Sequence, residues 1–179
     1  MTYAFKTIAS PVGELKLVAS DKGLAAILWE NDDPERVRLL GPLVEDDHHP
    51  VLTRAAAQLG EYFAGKRQAF DLPLDFQGTD FQKRVWNALL TIPYGETRSY
   101  AEIARAVGRP TAFRAVGAAN GKNPISIVAP CHRVIGTNGT LTGFAGGLEA
   151  KQCLLAIESG TMPLPFESTK DMASEPGFR

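Results

Sequence analysis

The stretch "APCHRVIG" at residues 129–136 sets a thiol directly beside an imidazole. Cys131 is one of two cysteines in the 179-residue chain, and His132 is one of three histidines. Such a pair can be a buried accident, part of a metal site, or a nucleophile next to its base. Zinc asks for three or four Cys, His, Asp or Glu ligands at suitable spacing. His48 and His49 stand together in an acidic stretch far along the chain from Cys131, so no metal is expected. Free cysteine is often simply buried, and Cys153 in "LEAKQCLLAIE" fits that reading. Cys131 fits it poorly. It follows Pro130 at the end of an apolar run and precedes His132 and Arg133, and an electropositive, partly exposed setting lowers a thiol's pKa. A nucleophilic Cys131 needs a base and a group to orient that base. His132 is the candidate base. Adjacent residues on a strand point oppositely, so a turn or one bridging water must couple the two. Glu158 is the candidate orienting carboxylate. A solvated helix-end carboxylate is the alternative, and spacing alone does not separate them.

The elements that must hold these residues fall into two halves. Residues 1–80 carry 8 Lys and Arg against 13 Asp and Glu, net −5, whereas residues 81–160 carry 9 against 4, net +5. The whole chain is at −1, which by itself argues against a nucleic-acid binder, but the gradient suggests that the second half meets an anion. Composition drift is the plain alternative. The apolar content of 44% and charged content of 22% are those of a globular protein. No segment approaches the roughly 20 uninterrupted apolar residues of a membrane span. The opening "MTYAFKTIASPVGEL" has no apolar run of signal-sequence length. Two thiols make no disulfide framework, so a reducing, cytoplasmic location and no membrane partner are expected.

"YAFKTIA", "ELKLVAS" and "LAAILWE" alternate like paired strands across the turn stretches "SPVG" and "SDKG". An antiparallel sheet is expected there. Residues 31–50 read as a loop with a short helix at most. "VLTRAAAQLGEYFAGK" repeats its apolar residues at helical spacing, and "FDLPLDF" is a candidate for one more strand. From about residue 78 the text turns helical and basic. Asp80 is a plausible N-cap for a helix that Pro93 ends. Ser99 and Glu102 form a capping box for a second helix that Gly108 stops. A third helix opens near Pro110 and Thr111 and closes at Gly121. Two short helices around a Gly turn form either a helix-turn-helix or an ordinary helical hairpin. The small residues Ala112, Ala115, Gly117, Ala118 and Ala119 favour close approach to a duplex, with Arg114 as the one long cation. "NPISIVAPC" is strand-like, and a last helix runs from about Leu148 to Glu158. The Pro- and Ser-rich tail, 161–179, is expected to be disordered. The fold class is α+β, with a small sheet-and-helix domain over 1–77 and a mostly helical domain over 78–160.

"PCHRV" at 130–134, preceded by "RAVGAANGKNPISI" and followed by "GFAGG", resembles the O6-alkylguanine-DNA alkyltransferases, most nearly their bacterial constitutive members. The likeness runs from "FQKRVW" at 81 to "LLAIE" at 154–158, and the first 75 residues match the family's ribonuclease-H-like first domain only in length and strand content. The resemblance implies that Cys131 is the alkyl acceptor, that His132 takes its proton through a water, and that Glu158 holds the imidazole. It implies that Asn123 is the hinge tying the recognition helix to the active-site turn. Arg114 is the finger that fills the gap left by a flipped nucleotide. Tyr100 crowds the target's phosphate and helps to neutralise the leaving purine. Thr111, Ala112, Phe113 and Gly117 lie on the DNA face, entering the minor groove rather than the major groove usual for the motif. Val134, Phe144, Ala145 and Gly146 belong to the guanine pocket. Phe144 stands where many members have tyrosine and Phe113 where alanine is frequent. The metal site of some animal members needs cysteines that this first half lacks.

The implied activity is DNA repair by one irreversible transfer of an alkyl group from O6 of guanine to Cys131. O4 of thymine is expected as a second target. The expected partner is double-stranded DNA containing O6-alkylguanine, the expected state a monomer, and no cofactor is expected. A thioether product has no carbonyl for water to attack, so each molecule repairs one lesion. A cysteine hydrolase would share the Cys, His and Glu but turn over and need no helix-turn-helix. A lesion-marking relative would lack the cysteine, and a transcription factor would carry a sensor or dimerisation module.

Overall fold

The computed structural model describes residues 2–136 and 144–161. Residues 162–179 of the expected tail and Gly143 of "GFAGG" therefore lie outside the described residues. The alternating segments at the start of the chain become β1 (Tyr3–Ile8), β2 (Leu15–Ala19) and β3 (Leu24–Trp29), an antiparallel meander with Ile8 opposite Leu15 and Leu15 opposite Trp29. The period of two sorts their side chains onto two faces. One face, with Leu15, Leu17, Ile27 and Trp29, builds the main core; the other, with Tyr3, Val18 and Ala26, is covered by Val37 and Leu39. Gly23, at φ 155°, is required by closeness: a Cβ there would stand 2.5 Å from the Pro73 carbonyl oxygen.

Two expectations for the first half are corrected. Residues 31–50 hold a strand, β4 (Leu43–Glu45), rather than only a loop or a short helix. It lies parallel to β1, so the sheet order is β3-β2-β1-β4, because the free edge of β1 takes a partner wherever one can reach it. "FDLPLDF" makes a single bridge, Leu24 to Leu74, and no strand. Pro73, in the middle of it, has no N–H to give to a ladder. α1 (Pro50–Phe63) lays Leu52, Ala55, Leu59 and Phe63 on the main core.

The second half opens on α2 (Asp80–Leu89). Its N-cap is Thr79, not Asp80: the Thr79 hydroxyl accepts from the Gln82 backbone N–H, and the Gln82 side chain accepts from the Thr79 N–H. Asp80 sits in the first turn, where its charge meets the helix dipole. α3 (Tyr100–Ala106) begins at the expected Ser99–Glu102 capping box, and Gly108, at φ 78°, follows its end. α4 (Phe113–Gly121) starts later than Thr111 and has no side-chain cap. α2, α3 and α4 share a second core of Val85, Trp86, Leu89, Ile103, Val116 and Ala119. A short parallel pair, β5 (Arg98–Ser99) and β6 (Val134–Ile135), ties the start of α3 to the segment after Cys131. α5 (Leu148–Ser159) ends at Gly160 in the left-handed region.

The run "NPISIVAPC" is not a strand. It makes isolated bridges, Ile27 to Ile125 and Ser126 to Ala129, and Ile127 has φ 75°. Its apolar residues Ile125, Ile127 and Val128 pack into the first half's core together with Leu154 and Ile157 of α5. The two halves are thus joined by hydrocarbon contributed by the segment just before Cys131.

Replacing Thr79 with Ala is expected to lower unfolding free energy by about 1 kcal/mol, and Asp80→Ala by only about 0.3 kcal/mol. Urea denaturation of both variants checks this; a larger loss at Asp80 would reverse the cap assignment.

Candidate active site

Cys131, His132 and Arg133 form one turn of 3₁₀ helix after Pro130. The turn is the coupling device that an extended backbone could not supply. It is fixed from behind by Asn123, whose side-chain amide donates to the Ala129 carbonyl at 2.8 Å while its oxygen accepts from the Ile125 N–H at 3.1 Å. Asn120, in the last turn of α4, donates to the Cys131 carbonyl at 3.4 Å. The two asparagines link α4 to the cysteine turn, and Asn123 is fully buried.

Contrary to the partly exposed setting expected from its neighbours, Cys131 is only 3% exposed. It belongs to a buried apolar cluster with Val116 and Ala119 of α4 and Val134, against which the half-buried rings of Tyr100 and Phe144 pack. Burial pushes the Cys131 thiol up, against opposing influences from the Asn123 and Ser126 side chains and the charges of Arg36 and Lys151. The resting group is a thiol, so any thiolate must be made when it is used. Cys153 is pushed up to about 11 by burial alone, and it lacks those polar neighbours.

His132 is completely buried, and burial holds its imidazole below the ordinary value despite the hydrogen bond and charge of Glu158. Glu158 lies under the turn. Burial would raise its carboxyl, but hydrogen bonds from His132, Arg133 and Tyr62 outweigh this and hold it at about 2. His132 Nε2 meets Glu158 Oε2 at 2.6 Å, Arg133 Nε meets Oε1 at 2.7 Å and Nη2 meets Oε2 at 3.0 Å, and the Tyr62 hydroxyl donates to Oε2 at 2.6 Å. An ionised carboxylate only accepts. The proton of a neutral His132 must then sit on Nε2, which leaves Nδ1 with a lone pair. Nδ1 is buried and has no hydrogen-bond partner among the described residues. A buried ring nitrogen with a free lone pair is chemically able to accept a proton. Among the described residues no hydrogen bond joins Cys131 Sγ directly to the ring.

Three partners of this centre escaped the sequence reading. Arg133, in the motif itself, is buried, bridges Glu158 and donates to the Ile92 carbonyl at 2.6 Å. Lys151 of α5 is buried and donates to the Val134 carbonyl at 2.8 Å. Tyr62 comes from α1 in the other half. A buried Lys or Arg is rare enough to signal a built site, but nothing in the sequence shows which surface cations turn inward.

The remaining candidates are distributed around this centre. Phe144 packs edge-on to Trp29 of β3, with centroids 5.4 Å apart. Gly146 lies so close to that indole that a Cβ would stand 2.7 Å from it. Ala145 also packs against the main core. On α4 and the two residues before it, Thr111, Phe113 and Arg114 are exposed and Ala112 and Gly117 half-buried. A Cβ on Gly117 would meet the Tyr100 ring at 3.8 Å, so α4 crosses α3 closely there. Among the described residues no group of three or more His, Cys, Asp or Glu is placed to hold a metal ion, and no helix is long and apolar enough to cross a membrane.

Replacing Glu158 with Gln leaves Arg133 buried without its counter-charge and is expected to lower stability by about 3 kcal/mol at pH 7. Because the folded Glu158 carboxyl is depressed to about 2 from 4.5, its contribution is complete above about pH 4.5 and fades as pH falls towards 2. The neutral, buried His132 adds a loss below about 6.5, where the unfolded imidazole takes a proton first. Stability should therefore decline from pH 7 to pH 3 in the wild type and decline less in Glu158→Gln, as followed by urea unfolding; parallel declines would contradict the charge assignment.

Residues 3–76 match the family model described as the 6-O-methylguanine DNA methyltransferase ribonuclease-like domain, and residues 80–160 match the DNA binding domain of the same family. The chain is 50% identical over 159 residues to a methylated-DNA–protein-cysteine methyltransferase of Mycolicibacterium paratuberculosis, covering 89% of this chain and 94% of that one. It is 47% identical over 158 residues to the protein of that name in Methanosarcina barkeri, covering 88% and 98%. The crystal structure of Mycobacterium tuberculosis OGT in complex with DNA superposes with a TM-score of 0.80 at 48% identity, covering 91% of this chain and 96% of that one. With both halves matched in order and the buried Cys-His-Glu centre in place, the chain belongs to the 6-O-methylguanine DNA methyltransferase family.

Proposed function

We propose that this chain repairs DNA by direct alkyl transfer, as a methylated-DNA–protein-cysteine methyltransferase, and that Cys131 is the acceptor. The observation that carries the assignment of the acceptor is the bare, buried Nδ1 of His132 beside the one cysteine flanked by Asn123, Ser126, Arg36 and Lys151. The thiol proton passes to Nδ1 through a water, the sulfur attacks the alkyl carbon, and the C–O6 bond breaks with its electron pair moving into the purine. The imidazolium so formed is held by ionised Glu158, while Arg36 and Lys151 favour the transient thiolate. The Tyr100 hydroxyl donates to the departing purine. No step regenerates the thiol, because the product is a thioether.

The target base leaves its stack to reach a sulfur this deeply set. The rings of Tyr100 and Phe144, which pack against the apolar cluster that holds Cys131, would line its way in, with Val134, Ala145 and Gly146 completing the pocket. α4 and the turn before it offer the duplex an exposed edge of Thr111, Phe113, Arg114, Ala115 and Ala118. Arg114 makes no ion pair among the described residues and takes the place of the extruded nucleotide. Asn123 acts as the hinge between that helix and the cysteine turn. The protein acts as a monomer in the reducing cytoplasm on double-stranded DNA carrying O6-alkylguanine, with O4-alkylthymine as a second target, and it uses no cofactor. Its two working parts are residues 1–77 and 78–160, followed by the tail at 161–179.

Incubation with a duplex containing O6-methylguanine is expected to add one methyl group, about 14 Da, to the Cys131 peptide, since a thioether keeps the captured carbon; an adduct on Cys153 instead would overturn the acceptor assignment. Cys131→Ser should abolish transfer and keep DNA binding, and transfer at the wild-type rate would reject the nucleophile. Arg114→Ala should slow repair in duplex by about tenfold or more and affect the free alkylated base much less, as read by single-turnover rates; equal losses on both substrates would remove the finger role.

A further inference from the structure

Tyr62 stands in the last turn of α1, 96 residues before the carboxylate it touches. The ring is fully buried. It packs edge-to-face with Phe63 and Tyr94, with centroids 5.3 and 6.3 Å away, and at a tilt against Phe70 at 5.5 Å. α1 in turn is fixed to the sheet through Leu52, Ala55 and Leu59. The hydroxyl is therefore aimed by the first half's core and has little freedom of its own. A pure packing role would be met by phenylalanine, as at the next position, Phe63. A buried tyrosine hydroxyl must find an acceptor, and here that acceptor is Glu158 Oε2 at 2.6 Å, the same oxygen that His132 Nε2 meets at 2.6 Å.

We propose that Tyr62 is a positioning residue for the proton-accepting pair: by sharing Glu158 Oε2 with His132 it fixes the carboxylate's rotamer and limits how strongly that carboxylate holds the imidazole proton. The first half thereby sets the proton affinity of a base that lies wholly in the second half. This rests on the reading of His132 as the base for Cys131. Every donor on Oε2 withdraws charge from the bond to Nε2. Without the hydroxyl, the carboxylate binds an imidazolium more tightly, and His132 stays protonated to higher pH. The charged and titratable groups acting on the pair are Arg133 on the turn, Lys151 on α5, and Tyr94 from the loop after α2. Tyr94 differs from Tyr62 in its bond, since its hydroxyl donates to the Ile157 carbonyl at 3.3 Å and not to the carboxylate.

The test is the pH profile of single-turnover methyl transfer from an O6-methylguanine duplex to the full-length protein. For Tyr62→Phe the acid limb should move up by about half a unit, so that transfer near pH 6 falls about threefold while the alkaline plateau stays within about twofold. Tyr94→Phe should leave the limb in place. Should Tyr62→Phe not fold, 3-fluorotyrosine at position 62 keeps the ring and strengthens the donor, and the limb should then move down. An unmoved limb in whichever Tyr62 protein folds overturns the proposal, as does loss of melting temperature with no change of profile, or an equal shift in Tyr94→Phe. Wild-type protein that transfers nothing to Cys131 would instead bring down the base reading beneath it, an outcome separable by the mass of the Cys131 peptide.

Discussion

The buried carboxylate of Glu158 is the interaction on which the rest depends. It gathers His132 and Arg133 from one turn of one half and Tyr62 from a helix of the other. An isolated carboxylate at this depth would take up a proton rather than pay desolvation; three donors keep it charged. Its charge in turn decides the tautomer of His132, and that tautomer leaves the lone pair on Nδ1, which is buried and without a partner among the described residues. Removing any donor acts on the whole set, because each shares an oxygen or a charge with another.

The sulfur is treated in the opposite way. Burial keeps Cys131 a thiol at rest, which protects it from the oxidation that a permanently ionised, exposed thiolate invites. Lys151 and Arg36 stand ready to favour the charge once a substrate calls for it. A protein that can act only once has reason to keep its nucleophile covered until then. The same arrangement explains why the two halves cannot be considered apart. Ile125, Ile127 and Val128, just before the cysteine, are buried against β3 and α1, the Ile27 N–H donates to the Pro124 carbonyl at 2.9 Å, and the Trp29 indole donates to Ser126 at 3.2 Å. Arg36 reaches the Asn123 carbonyl and pairs with Asp32 at 2.6 Å.

Much of this was legible in the sequence where a local rule governs. The period of two gave the first three strands, and the Ser99–Glu102 capping box and Gly108 marked α3. The pair Cys131–His132 and the distant Glu158 could be named because cysteine chemistry asks for that set. What the sequence hid was settled by contacts distant along the chain. β4 forms because β1 has an open edge, not because "LVE" is strand-like. "NPISIVAPC" has the composition of a strand but is bent by the need to dock on one half while carrying the turn for the other. Cys131 is buried rather than partly exposed because its charged neighbour Arg133 turns inward to Glu158 instead of facing water. Tyr62 was invisible for the same reason: one hydroxyl on a core face has no local pattern.

The central claim is that ionised Glu158 holds His132 as a neutral base with its proton on Nε2. Nitrogen-15 NMR of the ring in the intact protein tests it most directly, since protonated and bare ring nitrogens resonate far apart. At neutral pH, Nε2 should show the shift of a protonated nitrogen and Nδ1 that of a bare one. A proton on Nδ1, or a fully protonated ring at that pH, would contradict the account.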